Sequence, residues 1–294
     1  MSIRLTKAQL AKWRKARGGS SVGVTRCGNI SFRWGERTYV MGIVNVSPDS
    51  FSGDGLSTVE LAVAQGKRFA ENGVDIIDVG GESTRPNSNP ISIDEELRRV
   101  IPVLEKLAAE VNVPLSVDTY KYEVARRALD AGAQMLNDIW GLKAEPKLAA
   151  LAAERNAPII LMSNQRDKQQ RHIVPAVLSD LKRAIDLALD TGVKWDNIIL
   201  DPGIGFGKTL EQNLELVRRL DELKALGRPI LLGTSRKSMI GLVLDLPLDQ
   251  RVEGTAASVA IGIAKGADII RVHDVHQMMR VCRMSDAIVR GKRG

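Results

Sequence analysis

Eight short apolar runs recur along the chain, spaced so that one helix fits between each pair. They read Y-V-M-G-I-V-N to Asn45, V-D-I-I-D to Asp78, P-L-S-V-D to Asp118 and Q-M-L-N-D around Asn137. The other four are P-I-I-L-M to Met162, N-I-I-L-D to Asp201, P-I-L-L-G to Gly233 and D-I-I-R to Arg271. Runs of Ile, Val and Leu without polar alternation fit parallel strands covered on both faces. The intervening segments predict helices over roughly 57–72, 94–111, 120–131, 145–155, 175–191, 209–226, 250–265 and 275–290. Ser92 with Glu95 resembles a capping box, and Gly73, Gly132, Gly192, Gly227 and Gly266 stand where helices should end. This strand–helix alternation predicts the α/β class and a closed (β/α)8 TIM barrel. Residues 22–34 read as an N-terminal β-hairpin turning around Cys27-Gly28-Asn29, placed to plug the bottom of the barrel.

Length and composition agree with that reading. The 294 residues, 44% hydrophobic, suit one barrel of about 250 residues plus an extension. Nothing divides residues 22–294, which are expected to be a single domain behind a basic tail over 1–21. The net charge of +7 suggests nucleic acid until it is located. Arg4, Lys7, Lys12, Arg14, Lys15 and Arg17 carry six positive charges before any acid appears. Without those six, 36 Lys and Arg face 35 Asp and Glu, so the body is nearly neutral. The tail is expected to be a solvated helix begun by Thr6, and no nucleic-acid partner is expected. No apolar run is long enough for a bilayer span and no secretory segment opens the chain, which predicts a soluble, cytoplasmic protein without membrane partners. Cys27 and Cys282 fit no metal or disulfide spacing, and three histidines are too few for a typical zinc site.

In such barrels the chemistry sits at the C-terminal strand ends. The acceptors Asp118, Asn137 and Asp201 suit an amino-pyrimidinone edge that offers N–H donors. Arg271 and His273 at the eighth strand, with Thr84 and Arg85, suit phosphate. Asn45 offers one oxygen, enough for Mg2+ when substrate phosphates supply others. Two long connections, 46–55 and 80–90, read as lids or binding loops. The segment Asp201-Pro202-Gly203-Ile204-Gly205-Phe206-Gly207-Lys208 is not a P-loop, because Pro202 occupies the place of the first required glycine. No nucleophile elbow is present, and the consecutive residues Ser235-Arg236-Lys237 should point in different directions.

The chain resembles the dihydropteroate synthase family in Asn45-Val46-Ser47-Pro48-Asp49-Ser50-Phe51, Asp78-Val79-Gly80-Gly81-Glu82-Ser83-Thr84-Arg85-Pro86, Ser116-Val117-Asp118-Thr119 and Leu136-Asn137-Asp138-Ile139. It does so again in the segment 201–208, in Gly233-Thr234-Ser235-Arg236-Lys237-Ser238 and in Arg271-Val272-His273-Asp274. The resemblance implies a transferase of folate biosynthesis and a sulfonamide target. It would condense (7,8-dihydropterin-6-yl)methyl diphosphate with 4-aminobenzoate by an S_N1-like route, with Mg2+, as a homodimer. Carried over, Asn45 would bind Mg2+ and diphosphate, with Thr84, Arg271 and His273 also on phosphate. Asp118, Asn137, Asp201 and Lys237 would hold the pterin, with Met162 beside its ring. Thr84, Arg85, Pro86, Phe206, Ser235 and Lys237 would frame 4-aminobenzoate, and Gly233 joins the substrate-binding positions. Lys237, Asp201 and Asn45 carry the implied catalytic roles. Two positions depart from the family: Ser47 for Thr, and Ser163 for the His that usually follows Met162. A methyltransferase pterin-binding module would share the pterin acceptors but not the diphosphate and 4-aminobenzoate positions, and a catalytically impaired barrel is the other alternative.

Overall fold

The computed structural model describes residues 6–17, 23–46, 58–83, 89–167 and 169–291. It opens with helix α1 (Lys7–Arg17) and the hairpin strands β1 (Val24–Cys27) and β2 (Ile30–Arg33). The eight apolar runs form β3 (Tyr39–Asn45), β4 (Ile76–Gly80), β5 (Leu115–Asp118), β6 (Met135–Asp138), β7 (Ile159–Met162), β8 (Ile198–Asp201), β9 (Leu231–Leu232) and β10 (Ile269–Val272). After β3 to β8 come, in turn, α2 (Val59–Glu71), α3 (Ile93–Glu110), α4 (Tyr122–Asp130), α5 (Lys147–Glu154), α6 (Ile173–Asp190) and α7 (Leu210–Arg218). Both α8 (Ser238–Leu244) and α9 (Val252–Ala264) follow β9, and α10 (Val275–Arg290) follows β10. Strands pair in parallel in the order β8-β7-β6-β5-β4-β3-β10-β9, and an isolated parallel bridge from Leu200 to Ile230 brings the two ends together. This is the expected TIM barrel.

Two local readings need correction. The expected helix over 209–226 stops at Arg218 and continues as a 3-10 helix over Leu220–Leu226. Leu220, Leu223 and Leu226 are all buried, and a three-residue repeat presents one face only at three residues per turn. Ser92 caps α3 by accepting from the Glu95 N–H, but the Glu95 side chain binds Arg98 and Arg99 instead of returning to the cap. The complete capping box is at Thr209 and Gln212.

Strand side chains alternate between the two faces of the sheet, and the barrel uses that period twice. Met41, Ile76, Met135, Ile160, Ile199, Leu231 and Ile269 form one apolar layer inside the barrel. Two residues further along, the same inward columns reach Ile43, Asp78, Asn137, Met162, Asp201, Gly233 and Arg271. The intervening residues, such as Val40, Ile77, Val117, Leu161 and Ile270, belong to the outer core shared with the helices. Apart from Asp138, which ends β6 and accepts the Trp140 and Leu142 N–H groups, the strands are apolar outward, and on most of them the inward column turns polar at the C-terminal end.

The hairpin closes the other end. Cys27, Phe32, Trp34 and Tyr39 pack onto the apolar layer, and Phe32 meets Tyr39 edge-on with ring centroids 5.0 Å apart. The basic tail forms the expected helix after Thr6 and is exposed over most of its length, but one face is docked on the barrel instead of solvated. Trp13 of α1 is 5% exposed and lies 5.6 Å from Trp195, centroid to centroid. Asp186 of α6 accepts from Trp13 Nε1 at 2.8 Å and Gln9 Nε2 at 2.6 Å, while Lys12 pairs with Asp190 at 2.7 Å. The acids that receive Lys12, Gln9 and Trp13 lie on a distant helix, so the tail's local composition concealed them. Asp186→Ala is expected to cost α1 on the order of 1–3 kcal/mol of docking free energy. Hydrogen exchange should then rise in residues 7–17 while the barrel amides stay protected; unchanged protection of α1 would contradict this role.

Candidate active site

A charge cluster spans the inward face of β4, β5, β6 and β10. Arg271 donates from Nε to Asp78 Oδ2 and from Nη2 to Asp118 Oδ2, both at 2.7 Å. Asn137 Nδ2 donates to the same Asp78 oxygen at 2.9 Å. Asp78 is fully buried; it is the third residue of β4, and its column continues to Gly80. A Cβ on Gly80 would sit 3.3 Å from Asp118 Cβ and 3.8 Å from Asn45 Oδ1. That glycine leaves space between the strand ends carrying Asn45 and Asp118. Asp78 Oδ1, Asp118 Oδ1 and Ser116 Oγ are buried without a hydrogen-bond partner among the described residues. Buried polar atoms without partners are costly, so this face is built for a ligand. Burial pushes the Asp118 carboxyl up to about 7, against the pull of Arg271 and with the repulsion of Asp78 added. On Arg271, burial is outweighed by the two carboxylates, which hold its proton more tightly.

Opposite lies the turn after β8. Asp201 Oδ1 accepts the Gly203 N–H at 2.6 Å, and burial raises its carboxyl above the usual range. Gly203 has φ +70°, and a Cβ there would fall 2.2 Å from Ser163 O. Only glycine fits where the turn presses against the end of β7. The turn is held by Lys208, whose Nζ donates to the carbonyls of Ser163 at 2.9 Å, Gly203 at 2.8 Å and Phe206 at 3.1 Å. Burial brings Lys208 down to about 7 and Lys237 down to about 8, with Asp201 opposing both shifts. Lys237 donates to the Ile204 carbonyl and stands 4.8 Å from the Phe206 ring centroid, while the Arg166 guanidinium is 4.7 Å from that centroid.

Ser235, Arg236 and Lys237 do diverge as expected. Ser235 Oγ lies 3.0 Å from His273 Nδ1 and also accepts the His273 backbone N–H at 3.1 Å. Arg236 takes a left-handed φ of 54° and pairs with Asp274 through Nε at 3.0 Å and Nη2 at 2.5 Å. Ser235 and His273, assigned by resemblance to different ligands, are direct neighbours.

Met162 and Phe206 form a small apolar cluster with Ile139, against which Tyr120 and Trp140 pack. Sequence reasoning gave no role to Asp78, Tyr120, Trp140, Arg166 or Lys208. The two aromatics were signalled only by their place just after the ends of β5 and β6. Glu82, at the start of the second long connection, accepts from Tyr120 Oη at 3.1 Å and Lys121 Nζ at 2.6 Å. Thr84, Arg85 and Pro86 lie outside the described residues, as do 47–57 of the first connection. Ser163 faces away from the mouth: its Oγ donates to Asp180 Oδ2 of α6 at 3.0 Å and accepts from Gln165 Nε2 at 2.9 Å.

Comparison with known proteins agrees with this geometry. Residues 41–273 match the family model described as "Pterin binding enzyme". The chain is 51% identical over 267 residues to a dihydropteroate synthase of Clostridium beijerinckii, covering 90% of this chain and 99% of that one. It superposes on the Xanthomonas albilineans dihydropteroate synthase solved with 4-aminobenzoic acid with a TM-score of 0.86, at 41% identity, covering 91% of this chain and 98% of that one. A Yersinia pestis dihydropteroate synthase solved with a sulfonamide drug complex gives a TM-score of 0.86 at 37% identity, covering 92% and 100% of the two chains.

The raised Asp118 carboxyl sets a pH dependence. An N–H donor edge needs the carboxylate, so affinity for a pterin should fall below pH about 7, approaching about tenfold per unit. The stability of the ligand-free protein should move the other way. A carboxyl raised by folding adds stability that is full below its unfolded value and lost as pH rises through about 7. Calorimetry of pterin binding from pH 5 to 8 should show a steeper acid loss in the native protein than in Asp118→Asn, where only Asp201 remains to be protonated. An identical profile in both would remove Asp118 from the ligand edge.

Proposed function

The chain belongs to the pterin binding enzyme family, alongside its dihydropteroate synthases, and we propose that it joins (7,8-dihydropterin-6-yl)methyl diphosphate to 4-aminobenzoate, releasing 7,8-dihydropteroate and pyrophosphate. The observation that carries this reading is the pair of carboxylates, Asp118 and Asp201, both raised by burial and facing one barrel mouth beside the Asn137 amide. Acceptors so placed suit the N–H edge of a pterin.

In this reading Asp118 and Asp201 accept pterin N–H groups, Asn137 adds an amide contact, and Met162 packs beside the ring. Lys237, with its ammonium next to Asp201, reaches the pterin from the other side, and its stem, Phe206 and Ser235 frame 4-aminobenzoate together with Thr84, Arg85 and Pro86. Gly233 leaves its column open for the substrate. Arg271, His273 and Thr84 hold the diphosphate. The methylene carbon–oxygen bond breaks first, and the electron pair leaves with pyrophosphate. The cation that remains is spread over the pterin ring, where preorganised carboxylates stabilise it. The aniline nitrogen then forms the new carbon–nitrogen bond and gives up its proton to water or to the departing pyrophosphate. No covalent enzyme intermediate is needed, so Ser235 requires no role as a nucleophile.

Asn45 offers one hard oxygen at the end of β3, across the space that Gly80 leaves open. One such oxygen suits Mg2+ completed by diphosphate oxygens and water. When bound, the ion would neutralise charge on the departing diphosphate. A homodimer is part of the same proposal. Leu242, Val243 and Leu244 on α8, Ile261 on α9, and Met284 and Ile288 on α10 are exposed aliphatic positions on successive helices, with Leu242 67% and Ile288 71% exposed. Patches of that kind mark association surfaces. A cytoplasmic location is proposed on the two buried, free cysteines.

Mixing the pterin diphosphate, 4-aminobenzoate and Mg2+ with the protein should release pyrophosphate, dependent on both substrates. Pyrophosphate release that 4-aminobenzoate does not accelerate, with no 7,8-dihydropteroate formed, would indicate simple hydrolysis and overturn the assignment. Ser163→His tests the departure at the end of β7. Ser163 is turned toward α6, so kcat/KM should change by less than about tenfold, or 1.4 kcal/mol. Stability should fall by roughly 1–3 kcal/mol because an imidazole is forced into a filled site. A large gain in turnover would instead give that position a catalytic role.

A further inference from the structure

At the end of the barrel opposite the mouth, Arg228 precedes β9 with its side chain only 2% exposed. Its Nε donates to the Ile198 carbonyl at 3.0 Å, and its guanidinium lies 5.1 Å from the Trp195 ring centroid. Nη1 is 3.6 Å from Asp196 Oδ1, too far for a hydrogen bond, and Nη2 is buried with no hydrogen-bond partner among the described residues. Guanidinium carries five N–H donors, so this one is taken out of water with a single good acceptor. Burial lowers Arg228 to about 10, which still leaves it charged at neutral pH.

Beside Arg228 opens a cavity of about 250 Å³, with Arg17, Lys224, Trp34 and Trp195 also on its walls. The acids there do not balance the three cations. Asp196 is about half exposed, and Asp268 uses Oδ2 on the Ile230 N–H at 3.0 Å, with burial raising its carboxyl. Arg17 is brought there at the end of α1, which the Asp186 contacts dock on α6. Arg17 and Trp34 both precede the residues 41–273 that match the family. The volume is below that of pockets for drug-sized ligands, and its aromatic walls suit a ring.

We propose that this cavity binds a small molecule bearing a phosphate, with Arg228 as the principal donor, Arg17 and Lys224 as flanking charges, and Trp34 and Trp195 against the rest of the ligand. Guanidinium presents paired donors that match phosphate oxygens. The site is separate from the barrel mouth and independent of the reaction assigned there.

The test is 19F NMR of the full chain carrying 5-fluorotryptophan at Trp13, Trp34, Trp140 and Trp195, each resonance assigned by a Trp→Phe variant. Inorganic phosphate and phenyl phosphate are the probes, with chloride at equal ionic strength as the control. Saturable shifts of Trp34 and Trp195 with either probe, absent with chloride, are the expected result. Tighter binding of phenyl phosphate would identify an aromatic phosphate as the ligand type, and equal binding would identify phosphate alone. Arg228→Met should weaken binding at least about tenfold, since it removes hydrogen bonds to a charged group. Should that variant not fold, Lys224→Ala, at an exposed position, should weaken binding about threefold. The proposal is overturned if Trp34 and Trp195 do not respond to phosphate beyond chloride, or if the folded variants bind as the native chain does.

Discussion

A residue on a barrel strand can face only the helices or the axis, and everything else in this molecule follows from how that choice is used. The helix-facing positions are apolar except for Asp138 at the end of β6, so the outer core holds the strands along nearly their whole length. The axis-facing positions change character two residues apart, from Ile76 to Asp78, Met135 to Asn137, Ile199 to Asp201 and Ile269 to Arg271. The apolar layer below gives the polar layer a dry, close-packed base. Polar groups set on such a base cannot relax toward water, and they keep their orientation.

That orientation has an electrostatic cost, which Arg271 limits. Asp78 and Asp118 face the same space, and one guanidinium bonded to both keeps their repulsion tolerable. Across the mouth, Lys237 stands near Asp201, while Lys208 is spent entirely on backbone carbonyls. The cations therefore divide into one that joins carboxylates, one left near the substrate space and one that fixes a loop. The oxygens without partners, Asp78 Oδ1 and Asp118 Oδ1, lie where a ligand edge would meet them. In such a site, part of the desolvation that binding requires is already built into the folded chain.

The strands, the positions of Asp118, Asn137, Asp201 and Arg271, and the terminating glycines were legible because each rests on a local rule. Gly73, Gly132, Gly192, Gly227 and Gly266 all have φ between 70 and 104°, as a short-range steric preference requires. What escaped depends on distance in sequence. Asp78 looked like one strand end among several, although its partners are 59 and 193 residues away. Lys208 looked like the close of a glycine-rich motif, and its role appears only when the carbonyl of Ser163 arrives from another strand. The α8 helix was unreadable as a separate element because Leu242, Val243 and Leu244 are exposed, which breaks the pattern that reveals a packed helix. The tail's composition reported its charge correctly and its surroundings not at all.

The barrel ring is not equally strong around its circumference. Between β8 and β9 the ladder is reduced to one bridge, Leu200 to Ile230, and β9 itself has two residues. A closed hoop under thermal agitation yields first at its weakest joint, and here that joint separates the strand ending at Asp201 from the one leading to Lys237. Opening it by a small angle moves these two groups relative to each other while Asp78, Asp118, Asn137 and Arg271, whose strands are joined by full ladders, travel together. The mouth is thus divided mechanically into a stiff jaw and a compliant one. A rigid ring system that enters between them can be gripped by elastic return of the hoop, without any change in the secondary structure that bears the side chains.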